Sequence, residues 1–316
     1  MIITDRPYIP DSEFKLRAQK LQAIMKREGV DIFLAYGNEA EPAYSRYLCD
    51  YWPSFESCGV VLAQEGEPIL LGGPESEPFA KAEAAITKVR CFPVFMVPEE
   101  EYPNATIIDF AQLNAELKAE GTELKRIGLV GTTTIPHQVY LDFSAGFAGV
   151  EMVDITDEYE DLRAYKSAWE VKQLKASAAL CDKAYDEMLA AIKPGAYEFE
   201  VAAAGEAICR KNGAHSFAYS CIVGSGARAK AVVPTATNRQ MQDGELVMIG
   251  IAPRINGYAG TFGDTIPVNG VFTQRQKDLL NHMRETLRLT KEMLKPGMRG
   301  IEIDVPGRKY YEKHGL

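Results

Sequence analysis

The stretch from Phe217 to Val268 constrains this chain more than any other. It reads FAYSCIVGSGARAKAVVPTATNRQMQDGELVMIGIAPRINGYAGTFGDTIPV. An apolar run, Phe217 to Val223, meets a Gly-Ser-Gly turn, and a polar loop follows. Asp243-Gly244 reads as a hairpin-type turn. A second apolar run, Leu246 to Ile251, is answered across Asn256-Gly257 by a segment starting at Tyr258. Short β-rich runs punctuated by Asp-Gly and Asn-Gly predict an antiparallel meander.

The rest of the chain must cover such a sheet with helices. At 316 residues it suits two domains, and 46% hydrophobic content supplies a core for each. A formal charge of −9 argues against nucleic acid or an anionic membrane as the main partner. Met1 to Pro10 holds no apolar leader core, and no run reaches the ~18 residues of a membrane span. A soluble cytoplasmic protein is expected. Cys49, Cys58, Cys91, Cys181, Cys209 and Cys221 lack CxxC spacing, so they read as reduced, mostly buried thiols.

In the first half helices and strands alternate. Asp11 to Gly29 is a helix capped by Asp11 or Ser12. Strands are expected at Asp31 to Tyr36, Ser57 to Leu62, Pro68 to Gly72, Lys88 to Val97, Arg126 to Val130 and Glu151 to Ile155. Helices are expected at Pro74 to Ala85, Thr106 to Glu120 and Pro136 to Phe147. This alternation predicts an α/β domain with a mixed sheet. Past the acidic run DITDEYEDL, Ala168 to Ile192 is a long helix with Val171, Leu174, Ala178, Cys181, Tyr185 and Met188 at 3,4 spacing. Lys193-Pro194-Gly195 ends it, and a helix from Glu198 to Asn212 follows. After the meander comes a helix from Gln274 to Leu294, with Leu280, Met283, Leu287 and Leu294 on one stripe. Lys295-Pro296-Gly297 closes it in the same three residues, and Arg299 to His314 starts another element.

These pieces resemble a known family. IVGSG at Ile222 to Gly226, NRQMQDGELVMIGI at Asn238 to Ile251 and NGY at Asn256 to Tyr258 look like the pita-bread metallopeptidases and their relatives: methionine aminopeptidase, Xaa-Pro aminopeptidase, prolidase and creatinase. RAQKLQAIMKREGVDIFLAYGNEAEPAYSRYLCDYW resembles the N-terminal domain of the aminopeptidase P, prolidase and creatinase branch. The resemblance implies an α/β creatinase/prolidase-like domain with a mixed sheet over residues 1–157. It implies a partial α+β pita-bread domain with a curved antiparallel sheet over 158–316. The Lys-Pro-Gly echo marks the two halves of that pseudo-duplicated fold. In the family, strands following the second helix pair supply a His and two Glu metal ligands. They are absent from this sequence, so either it is a piece of a longer chain, the expectation here, or the fold closes in some other way. The family also implies a homodimer.

The catalytic positions of the family carry other residues here. The catalytic His and the two metal-binding Asp fall on Val233, Gly250 and Thr261. A two-metal peptidase needs about five oxygen or nitrogen ligands. Glycine offers none and threonine a neutral hydroxyl, so neither metal nor cofactor is expected. Asp264 lies three residues past Thr261. Strand alternation sends the two to opposite faces unless Gly260 and Gly263 permit a bulge. Asp264 reads either as a relocated acid–base or as a turn-capping carboxylate. His215 is the nearest imidazole, read either as an acid–base partner or as an exposed loop residue. Arg228, Lys230, Arg239 and Tyr258 could hold a carboxylate-bearing small molecule, or form a solvated loop with Arg239 in an ion pair. Gly224-Ser225-Gly226 lacks the ending of a phosphate loop.

The expected activity is metal-independent hydrolysis of a C–N bond in a small or dipeptide-like substrate, as in creatinase. The alternatives are a metal-dependent Xaa-Pro aminopeptidase or prolidase, and a non-catalytic small-molecule-binding relative.

Overall fold

The computed structural model describes residues 9–97 and 102–316. Residues 1–8, read above for a leader, lie outside the described residues. The chain divides into two compact units, with the division between Lys172 and Gln173.

The first unit is a three-layer α/β structure. Its sheet has six strands: β1 (Ile32–Gly37), β2 (Cys58–Ala63), β3 (Ile69–Gly72), β4 (Lys88–Cys91), β5 (Arg126–Val130) and β6 (Glu151–Asp154), in the order β4-β3-β2-β1-β5-β6. The sheet is mixed: β1 pairs antiparallel with β2 and parallel with β5. Successive side chains of β1 feed opposite cores, because side chains alternate across a strand. Phe33 and Ala35 pack with α1 (Asp11–Glu28), α2 (Ala43–Cys49) and α6 (Thr156–Ala164). Ile32, Leu34 and Tyr36 pack with α4 (Phe110–Ala119) and α5 (His137–Gly146).

Three expectations change here. Helix α1 is preceded by Pro10 with no side-chain cap, not by Asp11 or Ser12, and ends at Gly29 in the left-handed conformation (φ 64°). Helix α2 carries no clear period in its seven residues and was not foreseen. The expected Lys88–Val97 strand stops at Cys91 and continues as a 3₁₀ turn, Pro93–Phe95, where proline withholds a donor from the sheet. A short α3 (Glu77–Glu83) completes the unit.

The second unit is α+β. Helices α7 (Ala168–Ala191) and α8 (Glu198–Lys211) precede the strands, and α9 (Gln274–Met293) and α10 (Gly300–Lys313) follow them. The Lys-Pro-Gly echo is structural. The connectors 192–197 and 294–299 are equal in length, and their glycines Gly195 and Gly297 adopt φ 87° and 89°. In both, a glutamate three residues into the next helix accepts a bond from the backbone before it: Tyr197 N to Glu200 at 2.8 Å, and Arg299 N to Glu302 at 2.9 Å.

The meander forms two three-stranded antiparallel sheets. One is ordered β11-β10-β7, from β11 (Tyr258–Ala259), β10 (Pro253–Ile255) and β7 (Ser216–Phe217). The other is ordered β12-β9-β8, from β12 (Phe262–Pro267), β9 (Leu246–Ile251) and β8 (Ile222–Ser225). The apolar run Phe217 to Val223 is therefore split between sheets. Asn256 and Gly257 take φ 48° and 84°, the double-positive turn an Asn-Gly hairpin requires. From Ile255↔Tyr258 to Leu246↔Pro267 the register never slips, so no bulge intervenes.

Val247, Ile249 and Ile251 are fully buried against Leu180, Ala184, Met188 and Val201 of α7 and α8. Each large apolar side chain buried this way contributes about 1.5–3 kcal/mol. The buried stripe of α7 is Gln173, Ser177, Leu180, Cys181, Ala184 and Met188, whereas Val171 and Ala178 are exposed. All six cysteines are free and buried.

Candidate active site

The sheet face opposite α7 and α8 borders a cleft of about 850 Å³. On that face Gly250 stands opposite Gly263 of β12 and Ile222 of β8. Two facing glycines leave a trough. Met248 and Thr265 floor it, and Leu280, Met283 and Leu287 of α9 form its wall. The apolar stripe expected on α9 thus lines a cleft, with Met283 55% exposed, rather than a closed core.

Two charged side chains line this cleft, Asp264 and Arg284. Asp264 pairs across the ladder with Ile249, which sets it on the helix-facing side of β12. There its Oδ2 accepts from the Tyr185 hydroxyl at 3.0 Å and its Oδ1 from the Thr265 N–H at 2.7 Å. Burial, then the bond to Asp264, pushes the Tyr185 hydroxyl up from its usual range, so it stays protonated and donating. Because β12 is an edge strand, the carboxylate also borders the cleft. Arg284 sits one turn after Leu280 and breaks the apolar stripe of α9; that break was the available sequence signal for it.

At the other end, Thr261 and Tyr219 share a short hydroxyl–hydroxyl hydrogen bond. Two hydroxyls carry two protons, and their mutual bond uses one. The pair therefore keeps one donor for a ligand carbonyl.

The cationic loop is organised differently. Glu198 begins α8 with a fully buried side chain. It accepts from Ser225 N and Oγ, both at 2.8 Å, from Thr237 Oγ1 at 2.7 Å and N at 3.1 Å, and from Arg228 Nε at 3.2 Å. Burial pushes the Glu198 carboxyl up. The bonds from Thr237 and Ser225 and the Arg228 charge outweigh that and hold it below the usual carboxylate range. Arg239 grips Glu245 with both terminal nitrogens, at 2.7 and 2.5 Å, and donates to Ser225 Oγ at 2.6 Å. The Gly-Ser-Gly turn is thus built around a buried carboxylate.

Of the six residues proposed from sequence, Asp264 alone borders the cleft. Arg228 and Arg239 are held in the Glu198 and Glu245 pairs. Lys230 is exposed at the end of the 3₁₀ turn Gly226–Lys230, and Tyr258 pairs with Ile255 in the small sheet. His215 is exposed before β7, with its carbonyl held by Arg210. Tyr219, Tyr185 and Glu198 carry no sequence signal of a site; only their positions in three dimensions reveal them.

The family's metal positions do not suit a metal here. A side chain added at Gly250 would start 3.0 Å from the Phe262 carbonyl. Thr261 spends its hydroxyl on Tyr219, and Val233, where the resemblance places the catalytic His, is 66% exposed. Among the described residues, no three His, Cys, Asp or Glu side chains are placed to hold an ion.

A six-stranded mixed α/β unit followed by an antiparallel meander between two helix pairs matches the two-part architecture of creatinase- and prolidase-type proteins. The Creatinase/Prolidase N-terminal domain matches residues 17–165, and Metallopeptidase family M24 matches residues 172–316. The chain belongs to this pita-bread family. It is 29% identical over 196 residues to an uncharacterized peptidase of Bacillus subtilis, covering 62% of this chain and 55% of that protein. It is 27% identical over 225 residues to the Xaa-Pro dipeptidase of Pyrococcus furiosus, covering 69% and 64%. The chain thus spans less than two thirds of the length of these relatives. The X-Pro aminopeptidase of Thermotoga maritima superposes with a TM-score of 0.80 at 21% identity, covering 94% of this chain and 78% of that one. The prolidase of Pyrococcus horikoshii gives 0.77 at 23% identity, covering 95% and 78%. No helix among the described residues is long and apolar enough to cross a membrane.

Proposed function

We propose that this chain hydrolyses a C–N bond of a small zwitterionic or dipeptide-like substrate held between β12 and α9, without a two-metal centre on this hairpin. The observation that carries the proposal is the charge pattern of the cleft: its lining holds one carboxylate, Asp264, on the edge strand β12, and one guanidinium, Arg284, on α9. The guanidinium fork suits a substrate carboxylate. The Tyr219–Thr261 pair supplies a donor to the scissile carbonyl. Asp264 takes a proton from the attacking water as the new C–O bond forms. It returns that proton to the leaving nitrogen as the C–N bond breaks. A homodimer is the proposed assembly, drawn from the family resemblance, and the cytoplasm is the proposed setting, as expected from the sequence.

The second reading is a metal-dependent Xaa-Pro peptidase, favoured by the relatives named as Xaa-Pro dipeptidase and prolidase. Metal content of the purified protein, with Xaa-Pro dipeptide hydrolysis before and after chelation, separates the two. Turnover that survives chelation supports the proposal. Stoichiometric metal with turnover lost on chelation supports the second reading. Saturable binding with no turnover in either condition leaves only the binding role.

A further inference from the structure

Two of the four histidines in this chain meet, away from the hairpin. His282 of α9 and His314, the residue after α10, have ring centroids 5.0 Å apart with planes at 52°. One residue, Tyr310, fixes both. Its hydroxyl lies 3.0 Å from His282 Nδ1, and its carbonyl lies 2.7 Å from His314 Nδ1. Its ring packs on His314 at 4.2 Å. The next residue, Tyr311, bonds the hydroxyl of buried Thr286 at 2.8 Å and ties α10 to α9.

For His314 this arrangement sets the tautomer, and for His282 it allows the same one. A carbonyl accepts only, so His314 Nδ1 carries the proton, and the lone pair of the neutral ring is on Nε2. His282 reaches the same state when its Nδ1 donates to the phenol oxygen. Among the described residues neither Nε2 meets a hydrogen-bond partner. Imidazoles that ligate metals are oriented in this way, one nitrogen on a carbonyl or hydroxyl and the other on the ion. Two imidazoles on one ion, at a metal–nitrogen distance of roughly 2.0–2.1 Å, place their ring centroids about 4.5–5.2 Å apart for octahedral to tetrahedral angles. The observed separation falls in that range.

We infer that His282 and His314 form a two-imidazole site for a divalent transition metal ion of the zinc, nickel and copper class. Tyr310 is the positioning residue, and water completes the coordination. Hard oxygen-seeking ions such as magnesium do not suit two nitrogen donors. The cysteines do not compete, because all six are buried, and burial pushes the Cys58, Cys209 and Cys221 thiols up to about 12.

The test is calorimetric titration of the chelator-stripped full chain with zinc alone, then nickel alone. One saturable equivalent is expected. His282→Gln and His314→Gln should each raise Kd roughly tenfold or more, while His137→Gln and His215→Gln leave it unchanged. Tyr310→Phe removes one orienting hydroxyl and should raise Kd several-fold, with a shifted visible spectrum when cobalt is the probe. No saturable binding, binding that survives both the His282 and His314 changes, or equal losses in the His137 and His215 variants would overturn the site. A Tyr310→Phe affinity equal to the wild type would overturn the positioning role.

Discussion

Ser177 on α7 accepts the Gly260 N–H at 2.6 Å and passes the bond to the Pro253 carbonyl at 2.5 Å. Gly260 and Pro253 are opposite each other in the unbroken register of the hairpin. The hydroxyl therefore replaces the direct ladder bond and wedges the strands apart. That is why one hairpin divides between two sheets at this point. Ser177→Ala leaves a backbone donor and a backbone acceptor unpaired beside a buried helix. Each such group costs about 1–3 kcal/mol, so the variant should lose about 2 kcal/mol or more. Urea unfolding measures it; an unchanged midpoint would mean that the strands close and bond directly.

Gly260 is needed for close approach. A Cβ there would lie 2.8 Å from Ala178 N and 2.9 Å from Ala178 Cα, both backbone of α7. Gly263, on the same strand run, would meet nothing nearer than the Ile249 carbonyl at 3.9 Å. Gly260→Ala should therefore destabilise by about 1–3 kcal/mol, as overpacking does. Gly263→Ala should be neutral or gain about 0.5–1 kcal/mol, since glycine inside a strand is entropically costly. Thermal melts of the two variants side by side check the contrast.

The same contacts explain what the sequence made legible. The long elements of both units follow from apolar periodicity and from Gly, Pro and Asn-Gly punctuation, and the Lys-Pro-Gly echo correctly marked a structural repeat. The C-terminal half of the expected α7 stripe is buried as read, but its N-terminal half was misplaced because two of the buried positions there are polar. Ser177 serves the hairpin backbone, and Gln173 accepts from Asn256 at 3.0 Å. Hydrophobic spacing is blind to both. The site was legible only in part: Asp264 was visible as a carboxylate near the family motif, whereas Arg284 and Tyr219 reach the cleft from segments distant in sequence. The ion pair of Arg239 was one of the two readings the sequence allowed, but its partner Glu245, and the Glu198 that holds Arg228, are identified only by the fold.

Glu198 should be among the most sensitive positions in the second unit. Glu198→Ala leaves Arg228 and four donor groups around an empty buried site, a loss of about 3–5 kcal/mol. Glu198→Gln keeps the shape but turns an amide donor toward other donors, a loss of about 1–3 kcal/mol. The pH dependence follows in sign. The folded carboxyl is held below its unfolded value of about 4.3, so the unfolded chain binds its proton more readily. Its stabilisation is complete above that value and is lost as pH falls through the lower folded one. Glu245, held down first by its bond from Arg239, acts in the same direction and window. Urea midpoints from about pH 6 to pH 3 should fall more steeply for the wild type than for Glu198→Gln.

Tyr185 and Asp264 form a pair whose roles can be separated. Tyr185→Phe removes one hydrogen bond to a half-buried carboxylate, a loss of about 1 kcal/mol. Asp264→Asn weakens the same bond, so the double variant should show a coupling of about 0.5–1 kcal/mol in urea unfolding. Turnover should divide them. As the acid–base group, Asp264→Asn lowers kcat by about 10²–10⁴-fold. Tyr185→Phe keeps the carboxylate and shifts the pH profile of kcat with a smaller loss. Equal effects of the two changes on kcat would assign Asp264 to structure alone.

Arg284 tests the substrate's orientation. It borders the cleft on exposed α9, away from the strands that carry Asp264, so its replacement should leave the fold intact. If its fork holds a substrate carboxylate that is unchanged through the reaction, it binds ground state and transition state alike. Arg284→Ala should then raise KM by about tenfold, about 1.4 kcal/mol, with kcat nearly constant. Arg284→Lys keeps the charge but loses the bidentate geometry, and should fall between. A substrate whose terminal carboxylate is replaced by a neutral amide should bind wild type and Arg284→Ala equally. A selective loss of kcat instead would place Arg284 beside the breaking bond, with the charge it stabilises appearing only in the transition state.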